Sequence, residues 1–167
     1  MAGHRFRLLL GERRIRNGVQ RLARRISKDY RGTVPVFVGI LNGSFIFLAD
    51  LVREVDLECE IDFITLSAYG RRRATIRNGP SGSLAGKHVI VVEDVVDTGR
   101  SLARLRSAVR RRRPRTVRVA ALLLKEGVST GTPPEYVGFR VGPEFVAGYG
   151  MDHDGRMRNR KAVYRSS

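Results

Sequence analysis

The sequence predicts an α/β fold, a mainly parallel sheet covered by helices. Three observations point there. Strand-like and helix-like segments alternate along the chain. The strand-like segments at 34–41, 89–92 and 117–124 are β-branched or aliphatic over most of their length, as strands buried on both faces are. Two segments between them carry helical periodicity, with Ile15, Val19, Leu22 and Ile26 on one face of 12–30 and Leu102, Leu105 and Val109 on one face of 101–112. In chain order, 5–10 is a short edge strand and 12–30 a helix whose arginine-rich face is solvated. The strand at 34–41 ends in Asn42-Gly43-Ser44, a tight turn into a helix over 45–54. The next strand is 61–67. Residues 71–86 hold three consecutive arginines and then Asn78-Gly79-Pro80-Ser81-Gly82-Ser83; without apolar periodicity they are expected to form a mobile loop. From Gly131 onward the chain is turn-rich, with short strands expected near 136–140 and 162–164. There is no internal repeat and no linker, so 1–167 is read as one domain.

The 167 residues suffice for a core without staples. Hydrophobic residues at 42% and charged residues at 29% exclude a disordered or fibrous chain. A single cysteine, Cys59, excludes an internal disulfide framework. The longest strictly apolar run, residues 119–124, is far below the ~20 residues of a membrane-spanning helix. The apolar stretch within the first ten residues is too short for a signal peptide. The expectation is a soluble, cytoplasmic protein without a membrane partner. The formal net charge is +16, and 28 of the 32 basic residues are arginine. Such a charge attracts polyanions non-specifically; codon usage in a GC-rich genome would produce the same arginine bias without function.

The stretch that carries chemistry is 89–102, VIVVEDVVDTGRSL. A buried strand delivers Glu93 and Asp94 at its carboxyl end, and Asp97 follows three residues later. Thr98, Gly99, Arg100 and Ser101 then turn directly into a helix. Backbone N–H groups and the positive dipole end of a helix suit a phosphate. Gly99 permits a close approach or a conformation that a side chain would block. Carboxylates beside a phosphate need other partners, and ribose hydroxyls or Mg²⁺ are the natural ones for Glu93 and Asp94. In open α/β sheets such sites lie at the carboxyl ends of strands. Competing motifs fail. Gly86-Lys87 has Ser81 and His88 where a Walker loop needs glycine and Ser/Thr, and Gly148-Tyr149-Gly150 follows no long strand. One cysteine and three scattered histidines supply no zinc spacing.

The 89–102 stretch resembles the ribose-phosphate signature of type I phosphoribosyltransferases, and four further motifs are similar to those of the hypoxanthine-guanine phosphoribosyltransferases. Leu41-Asn42-Gly43-Ser44 resembles the pyrophosphate loop and Ser67-Ala68-Tyr69-Gly70 the start of the closing hood. Leu122-Leu123-Leu124-Lys125 resembles the strand whose lysine reads the purine. Residues 145–152, FVAGYGMD, resemble the purine-stacking segment, with Arg158 at the expected distance beyond. The resemblance spans about residues 7–164. It implies the type I phosphoribosyltransferase fold, a mainly parallel twisted sheet flanked by helices with a small hood. A mobile hood loop would cover about 68–87 and a purine-binding hood about 125–167.

The implied reaction moves a 5-phosphoribosyl group from 5-phosphoribosyl-1-pyrophosphate to N9 of hypoxanthine or guanine. Its products are IMP or GMP and pyrophosphate, and its cofactor is Mg²⁺. Asp97 would be the general base near purine N7. Glu93 and Asp94 would hold the ribose hydroxyls directly or through metal, and Thr98, Gly99, Arg100 and Ser101 the 5′-phosphate. Lys125 would donate to the purine 6-oxo group and Phe145 stack on the ring. The Val146 backbone and Asp152 would read the C2 side, with Asp152 also a metal ligand. Asn42, Gly43 and Arg158 would bind pyrophosphate, and Tyr69 belongs to the hood. A homodimer or homotetramer is implied. Asn42 stands where the family usually has lysine or arginine, Ala68 replaces the usual hood serine, and the hood is short. His153 replaces a common tyrosine. Two alternatives share the fold: an RNA-binding regulator of the pyrimidine-operon type and a xanthine-preferring enzyme. In the regulators a tyrosine usually replaces Asp97 and the lysine is absent.

Overall fold

Five parallel strands and one antiparallel edge strand form the main sheet of the computed structural model, which describes residues 5–67, 75–97, 99–127 and 131–167. The elements run β1 (Phe6–Leu10), α1 (Glu12–Asp29), β2 (Val36–Leu41), α2 (Phe45–Glu54), β3 (Glu60–Ser67), β4 (Thr75–Asn78), β5 (His88–Val96), α3 (Arg100–Arg110), β6 (Thr116–Lys125), β7 (Tyr136–Val141), β8 (Val146–Ala147) and β9 (Val163–Ser166). The sheet order is β4-β3-β2-β5-β6-β7, with β4 antiparallel to β3. The chain moves outward from β2 to β3, then returns to place β5 on the other side of β2. The switch point of the sheet therefore lies between the carboxyl ends of β2 and β5, where α/β sheets open a crevice for ligands.

Alternation along the central strands builds two cores. Phe37, Ile90, Val92 and Leu122 join α1 and α2 on one face. Val36, Val38, Val89, Val91 and Val119 join Leu102, Leu105 and Val109 of α3 on the other. The predicted stripe of α1 is buried as expected, each fully covered aliphatic side chain contributing about 1.5–3 kcal/mol relative to exposure. Gly18 sits in that stripe because a Cβ there would run into the Phe139 ring. The opposite face of α1 is not purely solvated. Arg14 and Arg21 lie over the Phe139 ring at 5.8 and 5.6 Å, and Arg25 over Tyr136 at 5.2 Å.

Two expectations are corrected. Thr75–Asn78, placed in a loop by its lack of apolar periodicity, is the antiparallel edge strand β4, with Leu66 opposite Ile76. Residues 68–74 of that expected loop lie outside the described residues. β5 does not stop at Val92; it stays paired to β6 through the acidic residues, with Glu93 opposite Ala121 and Val95 opposite Leu123. The N-terminal strand is an edge strand, as expected, but of a second sheet. It pairs antiparallel with β9, and β9 with β8, so both ends of the chain form a separate three-stranded sheet. Leu10, Val146, Tyr149, Met151 and Val163 pack this small sheet onto the α1/α2 core. Among the described residues, no helix is long and apolar enough to cross a membrane.

Candidate active site

Two loops meet at the switch point. The first leaves β2 through a cis Leu41–Asn42 peptide and turns back on itself, Ser44 Oγ donating to the Ile40 carbonyl at 2.8 Å. The second leaves β5 at Asp97 and enters α3 through Gly99, whose φ of +70° is the left-handed conformation that favours glycine. A Cβ on Gly43 would run into the Asp94 carboxylate, so glycine is what allows the first loop to close over the acidic end of β5. A Cβ on Gly150 would in turn run into the Gly43 carbonyl, so the small sheet's loop rests on the same spot.

The carboxylates at this junction are short of cations. Glu93 Oε2 is buried and makes no hydrogen bond. Burial, and secondarily the neighbouring Asp94, pushes the Glu93 carboxyl well above the usual range. Burial also raises Asp94. Backbone N–H groups oppose that rise, with Val95 donating to Asp94 Oδ1 at 2.8 Å, and so does the charge of Arg158. Arg158 is held in place by Asp152 at 2.6 Å and donates to the Gly150 carbonyl at 2.7 Å. Asp152 also accepts from the Gly155 N–H at 2.9 Å. Among the described residues no three acidic, histidine or cysteine side chains form a metal cluster. Magnesium does not need one: it typically takes one or two carboxylates and completes its shell with water and substrate phosphates. An orphaned buried carboxylate oxygen beside a second desolvated carboxylate fits that role.

Beside the acidic pair lies a second unit. Lys125 closes β6 and is 8% exposed. Its Nζ meets Asp97 Oδ1 at 3.0 Å, with the Asp97 side chain 61% exposed. One buried cation and one open carboxylate thus face the same cleft. Phe145, just before β8, is 48% exposed. The Phe6 ring is 6.5 Å from it, and His153 sits 5.7 Å from Phe145 and 5.2 Å from Phe6, all three tilted edge to face. Val146 follows in β8 and is buried.

The fold brings together Gly43, Glu93, Asp94, Asp152 and Arg158 on one side, and Asp97 with Lys125 on the other. Asn42 lies in the first loop and is exposed. Gly99 opens α3, and Arg100 and Ser101 form its first turn, which carries no acidic residue to repel a phosphate. Thr98 and Tyr69 lie outside the described residues. Sequence reasoning missed the contact of Gly150 with the Gly43 loop and the support of Phe145 by Phe6 and His153. The glycine in 148–150 was visible, but nothing local places residue 6 beside residue 145; that follows only from β1 pairing with β9. A cavity of about 470 Å³ lies elsewhere, between α1, α2 and residues 149–161, where Tyr149 donates to Asp50 at 2.6 Å.

The phosphoribosyl transferase domain family matches residues 9–154. A hypoxanthine phosphoribosyltransferase of Haemophilus influenzae is 38% identical, over 95% of this chain and 94% of that protein. A hypoxanthine-guanine phosphoribosyltransferase of Streptococcus pneumoniae is 36% identical, over 92% and 88%. Among solved structures, a hypoxanthine-guanine phosphoribosyltransferase of Bacillus anthracis superposes with a TM-score of 0.91 at 32% identity, covering 96% of this chain and 98% of that one. With nearly the whole chain matched and the fold shared at a TM-score of 0.91, the chain belongs to the phosphoribosyl transferase family, among its hypoxanthine(-guanine) phosphoribosyltransferases.

Proposed function

We propose that this enzyme salvages purines, transferring the 5-phosphoribosyl group of 5-phosphoribosyl-1-pyrophosphate to N9 of hypoxanthine or guanine in the presence of Mg²⁺. The observation that carries the reading is the Lys125–Asp97 pair at 3.0 Å. A 6-oxopurine presents O6 and N7 side by side on one edge. Lys125 donates to O6 while Asp97 accepts the proton of an N7–H tautomer. As N9 bonds to C1′, the C1′–oxygen bond breaks, its electron pair leaves with pyrophosphate, and the N7 proton passes to Asp97. General-base catalysis of this kind typically contributes 10²–10⁴-fold. Adenine carries an amino donor in place of O6, so Lys125 would face a second donor and stay unpaired, a cost of about 1–3 kcal/mol.

The remaining residues hold the sugar-phosphate. Glu93 and Asp94 take the ribose hydroxyls or their metal. Gly99, Arg100, Ser101 and Thr98 take the 5′-phosphate on the α3 N-terminus. Gly43, Asn42 and Arg158 hold the pyrophosphate, the guanidinium matching two phosphate oxygens. Phe145 stacks on the purine, the Val146 backbone and Asp152 read its C2 side, and Tyr69 closes the hood. Membership of the family implies a divalent metal; the desolvated Glu93 and Asp94, with Asp152 for a second ion, are the residues that would hold Mg²⁺. The metal offsets the charge of the leaving pyrophosphate. Exposed Ile61 and Phe63 on one face of β3 support assembly into a homodimer or homotetramer, which sedimentation checks.

The test is turnover with 5-phosphoribosyl-1-pyrophosphate and Mg²⁺ against hypoxanthine, guanine, xanthine, adenine and uracil. Hypoxanthine and guanine should turn over and adenine hardly. Excess chelator should abolish the reaction and Mg²⁺ restore it. Efficient use of adenine or uracil, or undiminished turnover in chelator, overturns the assignment.

A further inference from the structure

The net charge of +16 is not spread evenly. Residues 13–31 hold eight basic residues and one acidic, and residues 100–118 hold nine arginines and no acidic residue. These segments include α1 and α3, which cover opposite faces of the sheet but end at the same place. Tyr30, just after α1, packs its ring 5.5 Å from His88 at the start of β5. Just after α3, Arg113 accepts at its carbonyl from the Gly86 N–H at 2.9 Å, and the Arg115 N–H donates to the Lys87 carbonyl at 2.8 Å. Both helices therefore deliver their C-terminal ends to the amino end of β5, the pole opposite the candidate active site. Lys28 and Arg31 from one, and Arg111, Arg113 and Arg115 from the other, are exposed there, as is Arg25.

Three of the nearby carboxylates are already engaged. Asp29 accepts from Arg118 at 2.9 Å and from the Tyr136 hydroxyl at 2.7 Å. Glu60 is held by Lys87 at 2.7 Å, and Glu135 by Arg106 at 2.8 Å. Asp56 and Glu54 are not paired to a cation among the described residues, but they border only the α1 side, in a groove with Arg24, Lys28 and Arg31. Among the described residues none of the six cations forms an ion pair.

We propose that this basic pole binds a nucleic-acid phosphate backbone without reading sequence, a function separate from the transfer reaction and independent of its mechanism. Forked guanidinium groups suit repeated phosphates. A membrane surface fits less well, because interfacial binding needs apolar anchors. Among the described residues the exposed large apolar side chains are Leu8, Val34, Phe45, Ile61, Phe63 and Phe145, and only Val34, between α1 and β2, lies near this pole, too little to anchor it in a bilayer. If six cations each neutralise one phosphate of a single strand, log K should fall with log salt with a slope of about −4.

The experiment measures binding of a fluorescein-labelled 24-nucleotide RNA by anisotropy between 50 and 200 mM salt. It compares the parent with a pole variant (Lys28→Gln, Arg31→Gln, Arg111→Gln, Arg115→Gln) and a control of equal charge loss (Arg7→Gln, Arg13→Gln, Arg53→Gln, Arg140→Gln). The pole variant should lose at least tenfold more affinity than the control, its slope falling to about −1.5, while both keep purine turnover. Photocrosslinking of the unmodified protein to the same RNA should mark 25–31 and 111–115, which keeps the proposal testable should the pole variant misfold. Equal losses in both variants, crosslinks centred elsewhere, no binding at 150 mM salt, displacement of RNA by 5-phosphoribosyl-1-pyrophosphate, or preferred binding to anionic vesicles would each overturn it.

Discussion

Replacing Asp97 by asparagine separates chemistry from folding. The Lys125–Asp97 contact at 3.0 Å joins a buried ammonium to a carboxylate that is 61% exposed. Asparagine keeps the shape and an oxygen acceptor for Lys125, and it tolerates the turn before α3. Because the carboxylate end of the pair is open to water, losing its charge should cost well under the ~3–5 kcal/mol of a fully buried pair, even though it leaves the buried Lys125 without a counter-charge. Catalysis has more to lose, since an amide cannot take the N7 proton. A general base contributes about 10²–10⁴-fold, which at about 1.36 kcal/mol per tenfold is roughly 3–5 kcal/mol of barrier. Asp97→Asn should therefore melt close to the parent and retain its affinity for 5-phosphoribosyl-1-pyrophosphate, yet lose kcat by two to four orders of magnitude. Initial rates of IMP formation and a thermal melt on the same preparation check both halves. A kcat within about threefold of the parent, in a variant that melts normally, refutes the general-base role.

Three further outcomes follow from the geometry. Glu93 is destabilised as a carboxylate in the free fold, so its raised pKa removes stability as pH climbs above the unfolded value of about 4.3. Glu93→Gln should thus melt higher than the parent at pH 8 without metal or substrate, lose that advantage toward pH 4, and bind 5-phosphoribosyl-1-pyrophosphate more weakly; a lower melting temperature at pH 8 contradicts the account. Gly43→Ala puts a methyl group into the Asp94 carboxylate. It should raise KM for 5-phosphoribosyl-1-pyrophosphate at least tenfold with secondary structure intact by circular dichroism, and an unchanged KM refutes the close approach. Phe6→Ala removes one of two rings bracing Phe145. KM for hypoxanthine should rise several-fold while KM for 5-phosphoribosyl-1-pyrophosphate stays put, and equal changes in both point to general loosening of the small sheet instead.

The central strands were legible because they are buried on both faces, so their aliphatic runs name them without tertiary information. α1 and α3 were legible through their periodicity. What escaped was decided by pairing across long separations. β4 is four polar-leaning residues that become a strand only because β3 offers an open edge. β5 looked finished at Val92 because acidic residues end an apolar run, whereas the ladder to β6 continues past them to Val96. β1 read correctly as a short strand, but its partner lies some 160 residues away and no local signal names it. The site divides in the same way. Glu93, Asp94, Asp97 and Gly99 fall within seven residues and declared themselves. Lys125 lies on another strand, and only the parallel register of β5 with β6 sets it at Asp97.

The two poles of the sheet handle carboxylates differently, and the difference separates scaffold from site. At the amino end, Glu135 accepts two bonds from the buried Arg106 and one from the Val119 N–H, and Asp29 accepts from Arg118 and Tyr136. Removing Glu135 leaves the buried Arg106 guanidinium without its counterpart, whereas the half-exposed Asp29–Arg118 pair is worth about 0–1 kcal/mol. At the carboxyl end, Glu93 Oε2 has no donor, and Asp94 is raised by burial despite Arg158. Sequence alone makes these acids look alike. Their partners differ: the amino-end carboxylates are satisfied within the fold, whereas Glu93 at the switch point keeps an oxygen without a donor, as the proposed metal and ribose contacts would require.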